Sequence, residues 1–152
     1  MRLSPHFTLA ELTASNKAQI LRIDNTPGAD VLRRLQFTAE MLERIRSTVG
    51  RPVIVTSGYR CPELNRAVGG VTSSDHITGQ AADIVAPAFG TPYQLARLLA
   101  PLVSTLGIGQ LILEGVKGKQ WVHVSTRIPD KMLNRIITIS DSGVRAGIQG
   151  LA

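Results

Sequence analysis

The feature that most constrains the fold is a pair of alternating segments joined by a short loop. Apolar residues take every other position in both segments: Leu111, Leu113, Val122 and Val124. Alternation with period two is typical of strands that bury one face. The glycines and lysines of residues 115–120 favour a hairpin turn between them. Burying all four apolar side chains on one face pairs Leu113 with Val122, or shifts that register by two residues.

The same parity places two polar residues on the opposite face. In every register that buries the apolar set, Glu114 and His123 project together from the other side of the hairpin. A carboxylate beside a metal-ligating imidazole suits the general base of metal-assisted hydrolysis. The alternative interpretation of Glu114 is a surface charge at the end of a hairpin.

The remaining patterns predict an α+β fold with a small, largely antiparallel sheet covered by helices. Apolar residues at helical spacing predict a long helix that begins at an Asp30 cap and ends at Gly50. A second long helix is expected over 91–106, with Pro101 kinking or shortening it. A short helix is expected within 61–68, and strands at 52–56, 82–85, 110–114, 121–125 and 135–139.

The 152 residues are most simply one domain. We expect a helical part over about 1–50 and a catalytic core over about 51–140. Residues 140–152 contain no motif and are either a docked or a loose tail. A monomer is expected.

The amino-acid composition excludes several kinds of protein and of metal site. Cys61 is the only cysteine, which excludes an intrachain disulfide and a thiolate-rich zinc site. No apolar run approaches the roughly 20 residues that cross a bilayer, and the start lacks the apolar stretch of a secretory signal. We therefore expect synthesis in the cytoplasm and no membrane span. The net charge of +6 favours an anionic partner such as the cell wall, while scattered basic residues argue against nucleic acid.

Two of the three histidines lie in segments that also hold an aspartate. His76 on an expected loop, Asp83 on a strand and His123 on the hairpin offer two imidazoles and one carboxylate. Three such ligands suit a zinc ion with its fourth position open for chemistry. In the alternative interpretation Asp83 caps a turn. The third histidine, His6, is interpreted as a solvated or hydrogen-bonded side chain.

Several short sequence motifs occur in a fixed order along the chain, and the ordered combination is far more specific than any single motif. They are Phe7–Leu12, Asp24–Pro27, Ser57–Arg60, Asn65, Gly69-Gly70, Ser74-x-His76-x-x-Gly79-x-Ala81-x-Asp83 and Trp121–Ser125. From about residue 5 to 126 the chain resembles the zinc D-Ala-D-Ala carboxypeptidase family of metallopeptidases. It is most similar to the short phage- or prophage-encoded members of that family.

The resemblance implies the Hedgehog/DD-peptidase fold, one zinc ion and peptidoglycan stem peptides as substrate. By position, His76, Asp83 and His123 match the zinc ligands. Arg60 matches the arginine that stabilises the substrate carbonyl or its developing oxyanion, and its alternative role is a structural turn residue. Ser74 matches a serine near the first ligand, where it is placed to hydrogen-bond the substrate.

One departure from the family concerns the catalytic acid. Several branches place it three residues before the second histidine, where this chain has Gln120. An amide cannot accept a proton from water, so Gln120 is excluded as the base. Short phage-type members have a glutamate at the end of the preceding strand, which favours Glu114. Asp75 and Asp130 are weaker substitutes.

The resulting hypothesis is a zinc metallopeptidase acting on peptidoglycan. It would cut a D-Ala-containing bond as a carboxypeptidase or cross-link endopeptidase, with Glu114 as base and Arg60 on the oxyanion or substrate carboxylate. The alternatives are an endolysin cutting L-Ala–D-Glu and a non-catalytic cell-wall-binding or virion structural module. Action at the wall would follow release by lysis machinery or delivery in a virion.

Overall fold

The computed structural model describes residues 1–150, and the chain begins with a small hairpin followed by three helices. These elements are β1 (Arg2–Ser4), β2 (Phe7–Thr8), α1 (Leu9–Thr13), α2 (Asn16–Leu21) and α3 (Ala29–Val49). The predicted cap of α3 is wrong by two residues: Gly28 caps the helix and Asp30 lies in its first turn. There its charge still faces the positive end of the helix dipole, which explains why the residue type signalled a helix start.

The second half of the chain supplies the central sheet. Its elements are β3 (Ile54–Ser57), α4 (Pro62–Ala67), β4 (Ala81–Val85), α5 (Pro92–Leu99), α6 (Val103–Leu106), β5 (Gln110–Val116), β6 (Lys119–Ser125), β7 (Ile136–Ser140) and β8 (Gly143–Ala146). The predicted helix over 91–106 is interrupted, because Pro101 lies in a 3₁₀ turn that separates α5 from α6. Residues 143–146 are docked, since β8 pairs with β7; Leu151 and Ala152 lie outside the described residues.

The six strands lie in the order β3-β4-β6-β5-β7-β8. All neighbouring pairs are antiparallel except β5 and β7. In the β5–β6 hairpin Leu113 faces Val122 and Leu111 faces Val124, which confirms the register predicted from the alternation. The mixed architecture with a largely antiparallel sheet is likewise confirmed.

One face of the sheet is buried under helices. The hairpin residues Leu111, Leu113, Val122 and Val124 are fully buried and belong to one hydrophobic cluster with residues of α3 and α5. The helical members include Leu35, Leu42, Ile45, Leu95 and Leu99. Since successive side chains of a strand alternate, the opposite face receives the polar residues of β4, β5 and β6. In the described part of the chain, no helix has the length and apolar character to cross a membrane.

Gly58, which follows β3, is packed against the backbone of α1. The amide of Tyr59 donates to the carbonyl oxygen of Leu12 at 2.7 Å. A Cβ at Gly58 would overlap that same carbonyl, a backbone group that no side-chain rotation can move away. The close approach therefore requires glycine, and it fixes the position of the Gly58 carbonyl.

Gly58→Ala is therefore expected to lower the free energy of unfolding by roughly 3 kcal/mol, at the upper end of the cost of overpacking. Denaturant unfolding followed by circular dichroism measures the change. Gly28→Ala is the matched control, because a Cβ there has no atom within 4 Å and the backbone φ is −75°. Because Gly28 is the N-cap of α3 and alanine is a poorer N-cap than glycine, the control is expected to lose no more than about 1 kcal/mol. Equal stability of the two variants would contradict the packing argument.

Candidate metal centre

Two candidate ligands face each other across neighbouring strands, on the side of the sheet opposite the face that α3 and α5 cover. Asp83 on β4 faces His123 on β6 in the antiparallel register. Its Oδ1 lies 3.1 Å from Nδ1 of His123, and both side chains are buried. Sheet pairing thus brings together two residues that are 40 positions apart in the chain.

The third candidate ligand comes from the loop before β4. The His76 ring places Nδ1 2.7 Å from the carbonyl oxygen of Gly58. A carbonyl only accepts hydrogen bonds, so Nδ1 carries the hydrogen and Nε2 of the neutral ring keeps its lone pair. Nε2 lies 3.2 Å from Oδ1 of Asp83. The Arg60 amide also donates to the His76 carbonyl, which fixes the loop against the turn after β3.

The donor set and its spacing fit a zinc ion. One ligand atom from each of His76, Asp83 and His123 lies within 4.8 Å of the other two, and all three residues are buried. With zinc–ligand bonds of about 2.0–2.2 Å, tetrahedral donors stand roughly 3.3 Å apart. The two contacts to Asp83 Oδ1, 3.1 and 3.2 Å, are close to that separation. Two imidazoles and a carboxylate leave one tetrahedral position for water or substrate.

The charges of the cluster favour a cation. Burial by itself would raise the pKa of Asp83, but the hydrogen bond with His123, and that with His76 when this ring is protonated on both nitrogens, outweigh burial and hold the pKa well below its usual value. Burial would lower the pKa of His123, and the hydrogen bond and charge of Asp83 reverse that, so the pKa is raised. The carboxylate is thus ionised and attracts positive charge, whether from protons or from a metal ion.

Glu114 lies beside this cluster, on the face that the hairpin parity predicts. It pairs with Trp121, two residues before His123, and its Oε1 lies 3.7 Å from Nδ1 of His123. Burial raises the pKa of Glu114; the charge of His123 opposes the rise and that of Asp83 adds to it. Among the described residues Glu114 accepts no hydrogen bond, so its oxygens are available to a water or a substrate.

Arg60 and Ser74 are also brought together at this site. Nη2 of Arg60 donates to Oγ of Ser74 over 3.4 Å. Burial lowers the pKa of Arg60, and the negative charges of Asp83 and Glu114 act against that shift. A cation therefore lies within electrostatic reach of both carboxylates, on the side of the cluster formed by the turn after β3.

The other residues considered from the sequence lie in different surroundings. Gln120 faces Gly115 across the hairpin and has the opposite parity to His123, so its side chain points to the other face. Asp75 is buried in an ion pair with Arg127, while Asp130 is fully exposed. His6 hydrogen-bonds Glu43 near the N-terminus, in agreement with its interpretation as a hydrogen-bonded surface residue.

Two contacts that contribute to the site have no prediction from the sequence. The first is the Gly58 carbonyl, which fixes the His76 ring; its only sequence signal was the Ser57–Arg60 stretch. The second is the Asp75–Arg127 ion pair, which has no local signal because its partners are 52 residues apart.

A comparison with protein families supports the chemistry of this arrangement. The family model described as Peptidase M15 matches residues 5–125. No curated protein matches the chain. The matched stretch contains the three candidate ligands, Glu114 and Arg60, and it ends two residues before Arg127.

Proposed function

The chain belongs to the peptidase M15 family of zinc-dependent hydrolases, and from this we propose that it cuts a D-Ala-containing peptide bond in bacterial peptidoglycan. The enzyme would act either as a carboxypeptidase that releases a terminal D-Ala or as an endopeptidase that cuts a cross-link. We further propose that the protein is phage- or prophage-encoded and acts at the cell wall. The observation that supports the peptidase assignment best is the buried His76–Asp83–His123 cluster with a carboxylate on the same sheet face.

In the proposed site, Nε2 of His76, the Asp83 carboxylate and Nδ1 of His123 would hold one zinc ion. Bound zinc would polarise the scissile carbonyl and make water a stronger nucleophile near neutral pH. The Gly58 carbonyl contributes by keeping His76 in the tautomer that presents Nε2.

Glu114 is proposed as the general base. Its carboxylate accepts a proton from the attacking water and returns it to the amine that leaves. A base works best when its pKa lies near the working pH, and burial moves the pKa of Glu114 upward in that direction. The 3.7 Å contact between Glu114 and His123 supports this role, because a general base must lie close to the candidate ligands.

Arg60 is proposed to bind the substrate and to stabilise its developing oxyanion. A partly desolvated guanidinium interacts strongly with an oxyanion and can hold a peptide carboxylate through two parallel hydrogen bonds. Ser74 supports this role because its hydroxyl accepts from Arg60 and orients the guanidinium. We propose the same hydroxyl as a hydrogen-bonding group for the stem peptide.

Digestion of purified sacculi tests the proposal. The protein is incubated with sacculi as prepared, with a chelator, and with a chelator followed by zinc, and the fragments are identified by mass spectrometry. We expect cleavage at D-Ala-containing bonds that the chelator abolishes and zinc restores. Cleavage between L-Ala and D-Glu would reject the proposed bond and support an endolysin. Stoichiometric zinc without any fragment would reject the peptidase in favour of a non-catalytic wall-binding or virion module.

The zinc affinity is expected to depend on pH with a defined sign. His123 must lose its proton before it binds zinc, so the apparent affinity falls about tenfold per pH unit below its pKa. The Asp83 contact raises that pKa in the metal-free protein despite burial, so protons compete up to a higher pH than the roughly 6.5 of a free imidazole. Competition with a chromophoric chelator between about pH 5 and 8 measures the change. An affinity that stays constant down to pH 5 would contradict the ligand assignment.

A further inference from the structure

Asp75 lies beside a candidate ligand, and its buried side chain reaches Ser125, which projects from the same face of the sheet as His123. Only 7% of the residue is exposed. One carboxylate oxygen accepts from Oγ of Ser125 at 2.8 Å, and the other accepts from Nε of Arg127 at 2.6 Å. Ser125 in turn accepts from the Arg127 amide at 3.1 Å. The buried carboxylate therefore has a partner for each oxygen, and all of them belong to the end of β6 or to the residue two positions beyond it.

This contact joins the two parts of the chain that present the histidines. His76 is the next residue after Asp75, and His123 precedes Ser125 by two positions on β6. At the far end of the loop, the amide of Thr126 donates to the carbonyl of Gln80, where β4 begins to pair with β6. Nearer to His76, the Asp75 side chain makes this connection. It is hydrogen-bonded to Ser125, the last residue of β6, and to Arg127, two residues beyond the strand.

On its other side, His76 is anchored to the turn after β3. Its ring donates to the Gly58 carbonyl, and its own carbonyl accepts from the Arg60 amide. The His76 part of the loop is thus held by the turn on one side and by the contacts of Asp75 with the end of β6 on the other. Further along the loop, the carbonyls of Thr78 and Gly79 accept from side chains of α3, at 2.6 and 2.7 Å. Without the contacts of Asp75, the distance between Nε2 of His76 and Asp83 would be set by the turn after β3 and by the α3 contacts at the end of the loop.

We propose that Asp75 is a positioning residue for the metal centre. Its bridge to Ser125 and Arg127 holds the His76 loop against β6, so that the loop ligand and the strand ligands keep the spacing that one ion needs. The inference rests on the proposed function for the identity of the ion. The bridge itself is a property of this chain's own side chains, and Arg127 lies beyond the segment that the family model matches.

Asp75→Asn tests the bridge with little change in shape. The amide keeps one acceptor for Ser125 but loses the charge-assisted bond to Arg127. Substituting the outer partners of metal ligands typically weakens metal affinity about 10–100-fold, and we expect a loss in that range for zinc. Competition with a chromophoric chelator measures the affinity. The visible absorption of the cobalt-substituted protein is expected to change as well, because it reports the geometry of the ligands.

Asp130→Asn is the matched control. Asp130 also approaches Arg127, at 4.0 Å, but its side chain is fully exposed. The same chemical change there is expected to leave zinc affinity within about twofold and the cobalt spectrum unaltered, since exposed ion pairs contribute little. A zinc affinity and cobalt spectrum of Asp75→Asn that match those of the control would overturn the proposal.

A metal-free measurement separates this inference from the proposed function. Amide hydrogen exchange in the apo protein is expected to accelerate at residues 74–80 in Asp75→Asn and to stay unchanged in α3. Arg127→Gln, at a partly exposed position, is expected to act in the same direction and remains usable if Asp75→Asn does not fold. If the wild type binds no zinc, the metal assignment fails, while exchange still decides whether the bridge holds the loop. Unchanged exchange in both variants would reject the bridge.

Discussion

Replacing Glu114 with glutamine is expected to lower peptidoglycan hydrolysis by about 10²–10⁴-fold, the usual contribution of a positioned general base. The amide has nearly the same shape as the carboxylate but cannot accept the proton of the attacking water. Zinc content is expected to stay at one ion per chain, because the proposed ligands are His76, Asp83 and His123 without Glu114. Muropeptide release and metal analysis of the same preparation measure both quantities.

Glu40→Gln is a suitable control for that experiment. Glu40 is exposed on α3, the helix whose buried residues cover the opposite face of the sheet. The change has the same chemistry and should leave hydrolysis within about twofold of the wild type, as expected of a surface substitution. Wild-type turnover in Glu114→Gln would reject Glu114 as the base, whereas loss of zinc in that variant would indicate a role among the ligands.

His123→Ala is expected to remove zinc binding and activity together. His123 is one of the three proposed ligands, and its loss leaves a two-residue set of His76 and Asp83. The fall in zinc affinity should exceed the roughly 100-fold that outer partners of a site can cause, because a ligand itself is removed. Equilibrium dialysis against buffered zinc measures the affinity, and digestion of sacculi measures the activity.

The third histidine of the chain provides the control for this prediction. His6 bonds to Glu43 near the N-terminus and has no contact with the cluster. His6→Ala should bind zinc with wild-type affinity. If His6→Ala and His123→Ala lost zinc equally, the metal site would have to lie elsewhere. If neither lost it, the cluster would not be the zinc site.

The hairpin is the part of the site that the sequence predicted best. The side-chain period of a strand is two, so burying Leu113 and Val122 determines the face of every other residue in both strands. That argument placed Glu114 beside His123 without knowledge of the loops, and the structure has them 3.7 Å apart. The pairing of β4 with β6 brings Asp83 to His123. The sequence predicts that these residues meet at one ion, but it does not predict which strands pair or in which register.

The loop contacts could not be predicted in the same way. The contact between His76 and the Gly58 carbonyl joins two irregular segments, and no periodic pattern reports their relative position. The buried ion pair of Asp75 depends on the full path of the chain between the His76 loop and the end of β6. From the sequence Asp75 is a candidate only for a substitute base, whereas in the structure it forms an ion pair with Arg127.

The pairing of Asp83 with His123 also has a consequence for synthesis on the ribosome. The candidate donor atoms come from positions 76, 83 and 123, so a nascent chain that ends before β6 holds only two of them. The complete set forms once β6 has left the exit tunnel and joined β4 as its antiparallel neighbour. Zinc should therefore stabilise the chain only late in translation. Premature termination products should retain little of the ion, which makes them distinguishable from the finished protein by metal content alone.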